Sequence, residues 1–351
     1  MLSLKHGVSG PSLNRILPPH ASMSPSAPSP DFDVVGVGLN ATDTMLIVPR
    51  FPTYGGKVPF TREFLSVGGQ VATAMVTCAR LGLRTKYIGT VGDDERGRIQ
   101  MESLRRADID IQHVQQRTNC PNQSAYIIVD ESTGERTVLW RRPDCLAIAP
   151  EEIAEDQITC ARLLHIDGHD TRAVEHAARI ARTHGIPVTV DVDTIYAGFD
   201  RVLPLVDYLI SSSEFPARWT GTSDPLESLQ AIQRQSGVRV AAMTLGAHGA
   251  LAWSAQTGRC IYSPGFVVNC VDTTGAGDVF HGAFCYAVLQ KMTLADALEF
   301  SNAMAALNCT AFGARGGVES GAVSIAEARR LMAPENPRRE QPEIAARVGA
   351  C

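Results

Sequence analysis

Short runs of β-branched residues alternate along most of this chain with longer segments of helical periodicity. The predicted strands cover residues 33–38, 85–89, 163–167, 187–191, 208–211, 238–245, 251–253 and 261–262. The predicted helices cover residues 70–81, 95–106, 173–184, 225–235, 279–289 and 294–312. A helix between two strands returns the chain so that the strands run in parallel. The alternation therefore predicts an α/β fold with a largely parallel central sheet.

Two segments interrupt this alternation, at about residues 44–66 and 124–140. Both are rich in strand-forming residues, and turns are expected at the sequences YGGK and STGE. We expect the two segments to pair as a small β-sheet that stands off the main sheet. A sheet in that position would form a lid over a substrate.

The termini differ in composition from the rest of the chain. Residues 1–30 are rich in Ser and Pro and contain no acidic residue, which predicts a disordered extension, with Met23 as an alternative start. The Pro-rich residues 332–351 are expected to form a flexible tail, so the predicted folded domain covers residues 31–331. No apolar run is long enough to span a membrane, so no membrane partner is expected.

Charge and cysteine usage narrow the function classes further. The formal net charge is −5 and no basic run occurs, so nucleic acid is not an expected partner. The nine cysteines are scattered and include no C-x-x-C pair, which predicts reduced thiols and a cytoplasmic protein.

The segment VDTTGAGDVFHGAF, residues 271–284, is the most informative for chemistry. The small residues Gly275, Ala276 and Gly277 lie just before a predicted helix, where free backbone amides and the helix dipole favour an anion. Asp278 follows at once, and a carboxylate there has a role if it removes the proton of an acceptor hydroxyl during phosphoryl transfer. The residues alone also allow a simpler interpretation, a glycine-rich turn with Asp278 as a helix cap.

The same segment resembles the signature D-T-x-G-A-G-D of the PfkB, or ribokinase-like, carbohydrate kinases. The resemblance implies a three-layer α/β/α sandwich with a small β lid, and Mg²⁺ and ATP as cofactors. It places the catalytic base on Asp278 and the anion hole on Gly275, Ala276 and Gly277. Asp272 and Thr274 match positions that hold a monovalent cation in many members, which makes K⁺ a further expected cofactor.

Two segments resemble the family's sugar-binding regions. In GLNATD, the resemblance implies that Asn40 and Asp43 contact the substrate, and a carboxylate suits this role because it accepts from two neighbouring hydroxyls. In VGGQVATAMVTCARLG, the glycines Gly68 and Gly69 would let the substrate lie against the backbone. Thr73 stands where the family has asparagine, which leaves the identity of the substrate open.

The nucleotide side is predicted from the turn MTLGAHGALAW and from the last two predicted helices. The residues implied for ATP binding are Thr244, Gly246, Gly249, Thr274, Gly275, Gly277 and Asn302. The family's N-x-x-E motif, which organises magnesium, is missing from LISSSEF, and Glu214 lies one position out of register as a possible Mg²⁺ ligand. Asp191 and Asp193 end another predicted strand, where they would contact substrate or solvated magnesium or cap a helix.

Other nucleotide-binding patterns fit less well. The string GVGLNA satisfies the dinucleotide fingerprint, but two prolines follow it in place of a helix, and a P-loop is absent from the sequence.

We therefore predict an ATP-dependent kinase that phosphorylates a primary hydroxyl of a small sugar. A ketose or other hexose is favoured, since the motifs look closest to ketohexokinase and sulfofructose kinase. A nucleoside kinase of the same family and a non-catalytic sugar or nucleotide sensor are the alternatives. A homodimer formed through the lid would cover an exposed sheet edge.

Overall fold

The computed structural model describes residues 30–349. The predicted extension up to residue 29 and the alternative start at Met23 lie outside the described residues. The strands are β1 Phe32–Val37, β2 Ala41–Val48, β3 Arg62–Gly68, β4 Thr85–Ile88, β5 Thr90–Gly92, β6 Gln115–Arg117, β7 Ser124–Asp130, β8 Arg136–Arg141, β9 Ala161–Asp167, β10 Val188–Val192, β11 Tyr208–Ser211, β12 Val240–Thr244, β13 Ala250–Ser254, β14 Arg259–Ser263, β15 Gly265–Phe266 and β16 Arg338–Arg339. The helices are α1 Gln70–Arg80, α2 Glu95–Arg106, α3 Glu155–Thr159, α4 Thr171–Thr183, α5 Phe199–Val202, α6 Glu214–Thr220, α7 Pro225–Ser236, α8 Ala276–Leu289, α9 Leu294–Asn308, α10 Gly316–Ser320, α11 Ile325–Leu331 and α12 Pro342–Gly349.

The central sheet has eight strands in the order β14-β13-β12-β11-β10-β9-β1-β4. The pairs from β4 to β12 are parallel, and β13 and β14 extend the sheet in antiparallel fashion. The carboxyl ends of the parallel strands meet at one edge, which is where ligands bind in open α/β sheets. The predicted mostly parallel α/β sheet is confirmed.

Helices cover both faces of the sheet, as strands that are apolar on both faces require. One buried cluster packs α1, α8 and α9 against one face, and a second packs α4 and α7 against the other. Val34 and Val35, neighbours in β1, belong to different clusters because successive strand residues point to opposite faces. The result is the three-layer α/β/α sandwich.

The lid is a separate four-stranded sheet in the order β3-β2-β7-β8. Its strands come from the two segments that interrupt the alternation, and β2 pairs in parallel with β7 to join them. The inner face buries Met45, Ile47 and Ile127 against Phe312 in the loop after α9. The lid predicted from the sequence is confirmed.

Two predicted boundaries are wrong for a tertiary reason. The helix expected over residues 294–312 ends at Asn308, since the chain turns out of the helix there and Phe312 packs against the lid. The tail expected to be flexible is ordered over its described part: β16 pairs with β15, and α12 buries Ile344 against the helical layer. The folded domain therefore continues well past Leu331.

The prediction of reduced thiols is wrong for one pair, because Cys120 and Cys145 form a disulfide. The two residues lie 25 positions apart in the connections around the lid strands, a proximity that the sequence does not reveal. The described cysteines Cys78, Cys160, Cys270, Cys285 and Cys309 are not disulfide-bonded. No helix within residues 30–349 has the length and apolar character needed to cross a membrane.

Candidate active site

The glycine-rich segment forms the loop that enters α8. The buried carboxylate of Asp272 holds this loop in shape, since it accepts hydrogen bonds from the backbone N–H and the hydroxyl of Thr274 at 2.9 and 2.6 Å. Its second oxygen accepts from the backbone N–H of Gly313 at 2.8 Å. Asp272 therefore ties the loop to the segment that follows α9.

Gly275 turns the chain into α8 with a positive φ of 72°. A Cβ at this position would lie 2.0 Å from the carbonyl oxygen of Ala314, so any other residue would displace the neighbouring loop. Both the dihedral angle and the close approach require glycine here.

The first turn of α8 presents free backbone donors to a cavity. Within the described chain, the N–H groups of Gly275, Gly277 and Asp278 have no hydrogen-bond acceptor, whereas that of Ala276 donates to the carbonyl of Thr273 at 3.3 Å. A Cβ at Gly277 would meet no atom within 4 Å, and Gly275, Gly277 and Asp278 all line the same cavity. Free amides at the positive end of a helix dipole form an anion-binding site.

Asp278 lies in that first turn and faces the same cavity. Burial raises the pKa of its carboxyl from 3.8 to about 7, and the negative charge of Asp191 adds to the rise. His281, Arg136 and Arg315 act in the opposite direction on this pKa. A carboxylate that titrates near neutral pH is a stronger base than an ordinary aspartate, which suits proton removal from a hydroxyl.

Asp191 and His281 form a buried pair beside Asp278. Asp191 is near the carboxyl end of β10, and its Oδ1 lies 3.1 Å from His281 Nε2. Burial by itself raises the pKa of Asp191, but His281 and His165 outweigh it, so the net direction is down. His281 follows Asp278 by three residues, so both lie on one face of α8. The Nδ1 atom of His281 has no partner among the described residues.

The predicted nucleotide residues other than Thr274 line one cavity of about 630 Å³ together with Asp278. Thr244, Gly246 and Gly249 contribute its wall at the end of β12, and Asn302 contributes from α9. The Asn302 side chain is oriented by Nδ2, which donates to the carbonyl oxygen and the hydroxyl of Ser263 at 3.0 Å each. Thr274 is buried beneath the loop, with its hydroxyl on Asp272, and does not line this cavity.

Asp43 lies on β2 of the lid. Burial raises the pKa of its carboxyl to about 6, against the hydrogen bond that Oδ1 accepts from the backbone N–H of Ala125 at 2.8 Å. Gly68 and Gly69 lie opposite, at the junction of β3 and α1. Gly69 has a φ of 94°, and a Cβ there would lie 2.3 Å from Cα of Asn40, so the backbone approaches closely only with glycine.

Two of the residues predicted to bind the substrate, Asn40 and Thr73, form hydrogen bonds to other residues of the protein. The Asn40 amide donates to the hydroxyl of Tyr87 and to the carbonyl of Thr90, at 3.0 and 2.7 Å. Thr73 is fully buried in α1, and its hydroxyl accepts from Nε of Arg315 at 3.2 Å. The threonine at this position thus serves as an acceptor for a buried guanidinium.

The structure does not bring Glu214 to the site. Glu214 is exposed at the start of α6 and does not line the cavity, whereas its neighbours Ser211 and Ser212 do. Asp191 and Asp193 both line the cavity, as Asp278 does. Within residues 30–349, no group of three or more His, Cys, Asp or Glu side chains is arranged to hold a metal ion by itself.

Sequence reasoning missed His281, Arg315 and Arg136. The spacing of His281 from Asp278 was a usable signal, because residues three apart on a helix share a face. Arg136 and Arg315 gave no such signal, since each reaches the site from a segment that is remote in sequence.

The fold is an α/β sandwich with a β lid. Free helix amides and a carboxylate with a pKa near neutral line one cavity beneath that lid. Together these features define a phosphotransferase of the ribokinase-like class. The chain belongs to the PfkB family: the model of the pfkB family carbohydrate kinases matches residues 33–320.

Relatives of known name agree with this assignment. Ribokinase from Haemophilus influenzae is 27% identical, over 80% of this chain and 92% of its own length. The ATP-dependent ribose-1-phosphate kinase of Halopiger xanaduensis is 29% identical, over 83% of this chain and 96% of its own. The crystal structure of a putative ribokinase from Agrobacterium tumefaciens has a TM-score of 0.79 and 26% identity, covering 86% of this chain and 97% of that one.

Proposed function

We propose that the protein transfers the γ-phosphoryl group of ATP to a primary hydroxyl of a small sugar, with Asp278 as the general base. The observation that carries this proposal is the position of Asp278 between free helix amides and open cavity space. Its raised pKa, about 7, keeps the carboxylate basic enough to accept the hydroxyl proton near neutral pH.

In the proposed reaction the acceptor hydroxyl loses its proton to Asp278 as its oxygen attacks the γ-phosphorus in line. The bond from the γ-phosphorus to the bridging oxygen breaks on the opposite side, and ADP leaves with the electron pair. The amides of Gly275 and Gly277 then donate to the equatorial oxygens, where negative charge spreads in the transition state. The backbone amide of Ala276 already donates to the carbonyl of Thr273, so Ala276 would not donate to the phosphoryl group. Its role would be to keep the loop small enough for the phosphoryl group to approach. Positioning and electrostatic stabilisation supply most of the rate enhancement in this mechanism.

Mg²⁺ would neutralise charge on the β- and γ-phosphates of ATP. Asp191 and Asp193, in place of Glu214, are the carboxylates of this chain that fit around such an ion, since both face the cavity. A monovalent cation beside Asp272 and Thr274 is also part of the proposal. Replacement of K⁺ by Na⁺ in the assay tests it directly, and equal turnover in the two salts would refute it.

The sugar would lie between Asp43 of the lid and the backbone of Gly68 and Gly69. The second oxygen of Asp43 faces Gly68, because a Cβ at that glycine would lie 3.2 Å from Oδ2. That oxygen would accept from a sugar hydroxyl. Relatives are named for ribose, for ribose 1-phosphate and for 5-dehydro-2-deoxygluconate, so a pentose joins the ketoses and other hexoses as a candidate.

The test is ATP consumption by the purified protein with Mg²⁺ and K⁺ against ketoses, aldoses, sugar acids, sugar phosphates and nucleosides. Asp278→Asn, run in parallel, is expected to lower kcat by a factor on the order of 10² to 10⁴. Turnover that survives this substitution would remove the base assignment. Turnover on a nucleoside alone would replace the sugar with that alternative, and ligand-induced thermal shifts without turnover would favour the sensor.

The homodimer through the lid remains part of the proposal. Leu65, Tyr126 and Leu139 share one row across the lid, with Thr44 of β2 between Leu65 and Tyr126, and each of the three has about half of its surface exposed. A second copy of the lid would cover this apolar row. Sedimentation of the protein and of Leu139→Asp tests it, since the substitution is expected to yield monomers. A cytoplasmic location also remains a prediction.

A further inference from the structure

The C-terminal segment, residues 333–349, packs against the nucleotide side of the cavity. It lies outside residues 33–320, which the kinase family model matches, so its role has to come from its own contacts. Its strand β16 pairs with β15 in antiparallel fashion, with Arg339 opposite Gly265. β15 in turn packs against the turn that follows β12, because a Cβ at Gly265 would lie 2.1 Å from the carbonyl oxygen of Ala247. The segment therefore adds a strand to the cavity wall.

Contacts before and after this point fix β16 on the wall. Cζ of Arg338 lies 3.8 Å from the centroid of the Phe266 ring, and Nη2 of Arg338 donates to Oε1 of Glu299 in α9 at 2.8 Å. Beyond β16, the backbone N–H of Gln341 donates to the hydroxyl of Tyr262 in β14 at 2.7 Å. The strand between these contacts is therefore held in place by β14, β15 and α9.

Arg339 is the residue of the C-terminal segment that reaches the cavity. It lines the cavity beside its strand partner Gly265, and its side chain is exposed there. A guanidinium has five N–H donors, and within residues 30–349 those of Arg339 have neither an acceptor nor a carboxylate partner. Arg338 differs, because its guanidinium is bound to Glu299 and packs on Phe266. Arg339 thus has all of its donors available at the cavity wall.

The cavity runs along the carboxyl ends of the central strands. The proposed base Asp278 lies at the β10 end, since His281, one helical turn after it, has Nε2 at 3.1 Å from Oδ1 of Asp191 in β10. β12 is two strands away from β10, a distance of about 10 Å. The turn after β12 and then β15 and β16 form the wall at that far end. Arg339 and Asp278 therefore lie at opposite ends of the cavity.

The wall near Arg339 suits a flat aromatic ring. Apolar side chains line it from β15, from the segment after β15 and from α9, namely Phe266, Val268, Ala305 and Ala306. A nucleotide whose γ-phosphate lies at the amides of α8 would extend along the cavity, so its base would reach this end. A planar guanidinium stacks on aromatic faces and is attracted by their π-electrons.

We propose that Arg339 packs on the face of the nucleobase, opposite the apolar wall, so that the C-terminal segment closes the nucleotide end of the cavity. The proposal rests on the proposed use of ATP. The phosphates have their own donors in the amides of Gly275 and Gly277. Arg339 therefore contributes to the affinity for the nucleotide and not to the transfer step.

The experiment measures the binding of ADP, ATP and inorganic tripolyphosphate by calorimetry to the full-length protein. Arg339→Gln and Arg339→Lys are compared with Arg329→Gln, since Arg329 is an exposed arginine of α11 that does not line the cavity. We expect Arg339→Gln to weaken ADP and ATP by the same factor, about three- to tenfold. Tripolyphosphate has no base, so its affinity should stay unchanged. Arg339→Lys should recover only part of the loss because it lacks the planar group, and Arg329→Gln should bind all three ligands like the wild type.

Turnover separates this proposal from the kinase assignment. With an acceptor in hand, Arg339→Gln should raise the KM for ATP by the factor lost in binding and leave kcat within about twofold of the wild type. If no acceptor supports turnover, the kinase assignment fails and the ADP affinities alone decide on Arg339. Unchanged ADP binding, an equal loss for tripolyphosphate or an equal loss in Arg329→Gln would overturn the role of Arg339. A wild type that binds neither nucleotide would overturn both proposals.

Discussion

Replacement of Asp278 by asparagine should stabilise the fold above neutral pH while it removes the proposed base. Burial and Asp191 raise the pKa of this carboxyl from 3.8 to about 7 in the folded protein. Between those values the folded state keeps a proton that the unfolded state has lost. Stability therefore falls as the pH rises through this window, and the full cost of the buried charge is present above about pH 7. Asparagine has no charge and avoids that cost.

The size of the effect follows from the same pKa. The rise of about three pKa units, at about 1.4 kcal/mol each, gives an upper limit of about 4 kcal/mol. Asp278 faces the cavity and is partly exposed to its water, so screening reduces the cost to about 2 kcal/mol. In a domain of this size we expect a rise in Tm of roughly 4 °C at pH 8.

The assay is thermal unfolding of the wild type and Asp278→Asn at pH 8 and pH 5, with kcat measured in parallel. Asp200→Asn, an exposed aspartate of α5, is the matched control and should not change Tm by more than about 1 °C. The gain in Asp278→Asn should be larger at pH 8 than at pH 5. A variant that is no more stable than the wild type at pH 8, or equally stabilised at both pH values, would refute the reasoning.

Three further predictions concern other parts of the structure. A hydrogen bond from Cys309 lowers the pKa of Cys270 to about 7, so its alkylation by iodoacetamide should rise with pH to half-maximum near pH 7 and ATP should protect it; a half-maximum above pH 8.5 would contradict this. Replacing Cys120 and Cys145 by serine should lower the free energy of unfolding by about 3 kcal/mol in the loop-entropy model, measured by urea titration against the disulfide-bonded protein. Ile344→Ala should destabilise by about 2 kcal/mol in the same titration, whereas an unchanged midpoint would mean that α12 does not pack.

Local sequence pattern predicted the sandwich and the glycine-rich turn into α8 well. The strand at 208–211 agrees with the structure residue for residue, because its apolar run lies in the middle of the parallel sheet. The helix after the glycine-rich loop begins at Ala276, three residues before the predicted start, because the loop glycines allow the turn that starts it. Periodicity detects such elements since each buries a regular face.

Contacts between distant segments were not predictable in the same way. The pairing of Cys120 with Cys145, the packing of Ile344 and the reach of Arg136 to Thr273 each depend on elements that the chain brings together only on folding. The hydrogen bond between Thr73, predicted as a substrate contact, and Arg315 was unpredictable for the same reason, since the two residues lie 242 positions apart in the sequence.

The sequence by itself determined the α/β/α layers, the lid segments, the glycine-rich loop before α8 and the place of Asp278 at the end of that loop. Each of these features depends on residues that are close together in the sequence. The hydrophobic period, the positions of glycines and the helix dipole are all set by such near neighbours. Only the tertiary structure decided which charges surround Asp278, which arginine keeps free donors and which predicted site residues turn inward. A pKa or an unpaired guanidinium depends on burial and on every charge within a few ångströms, and the order of residues along the chain does not specify those distances.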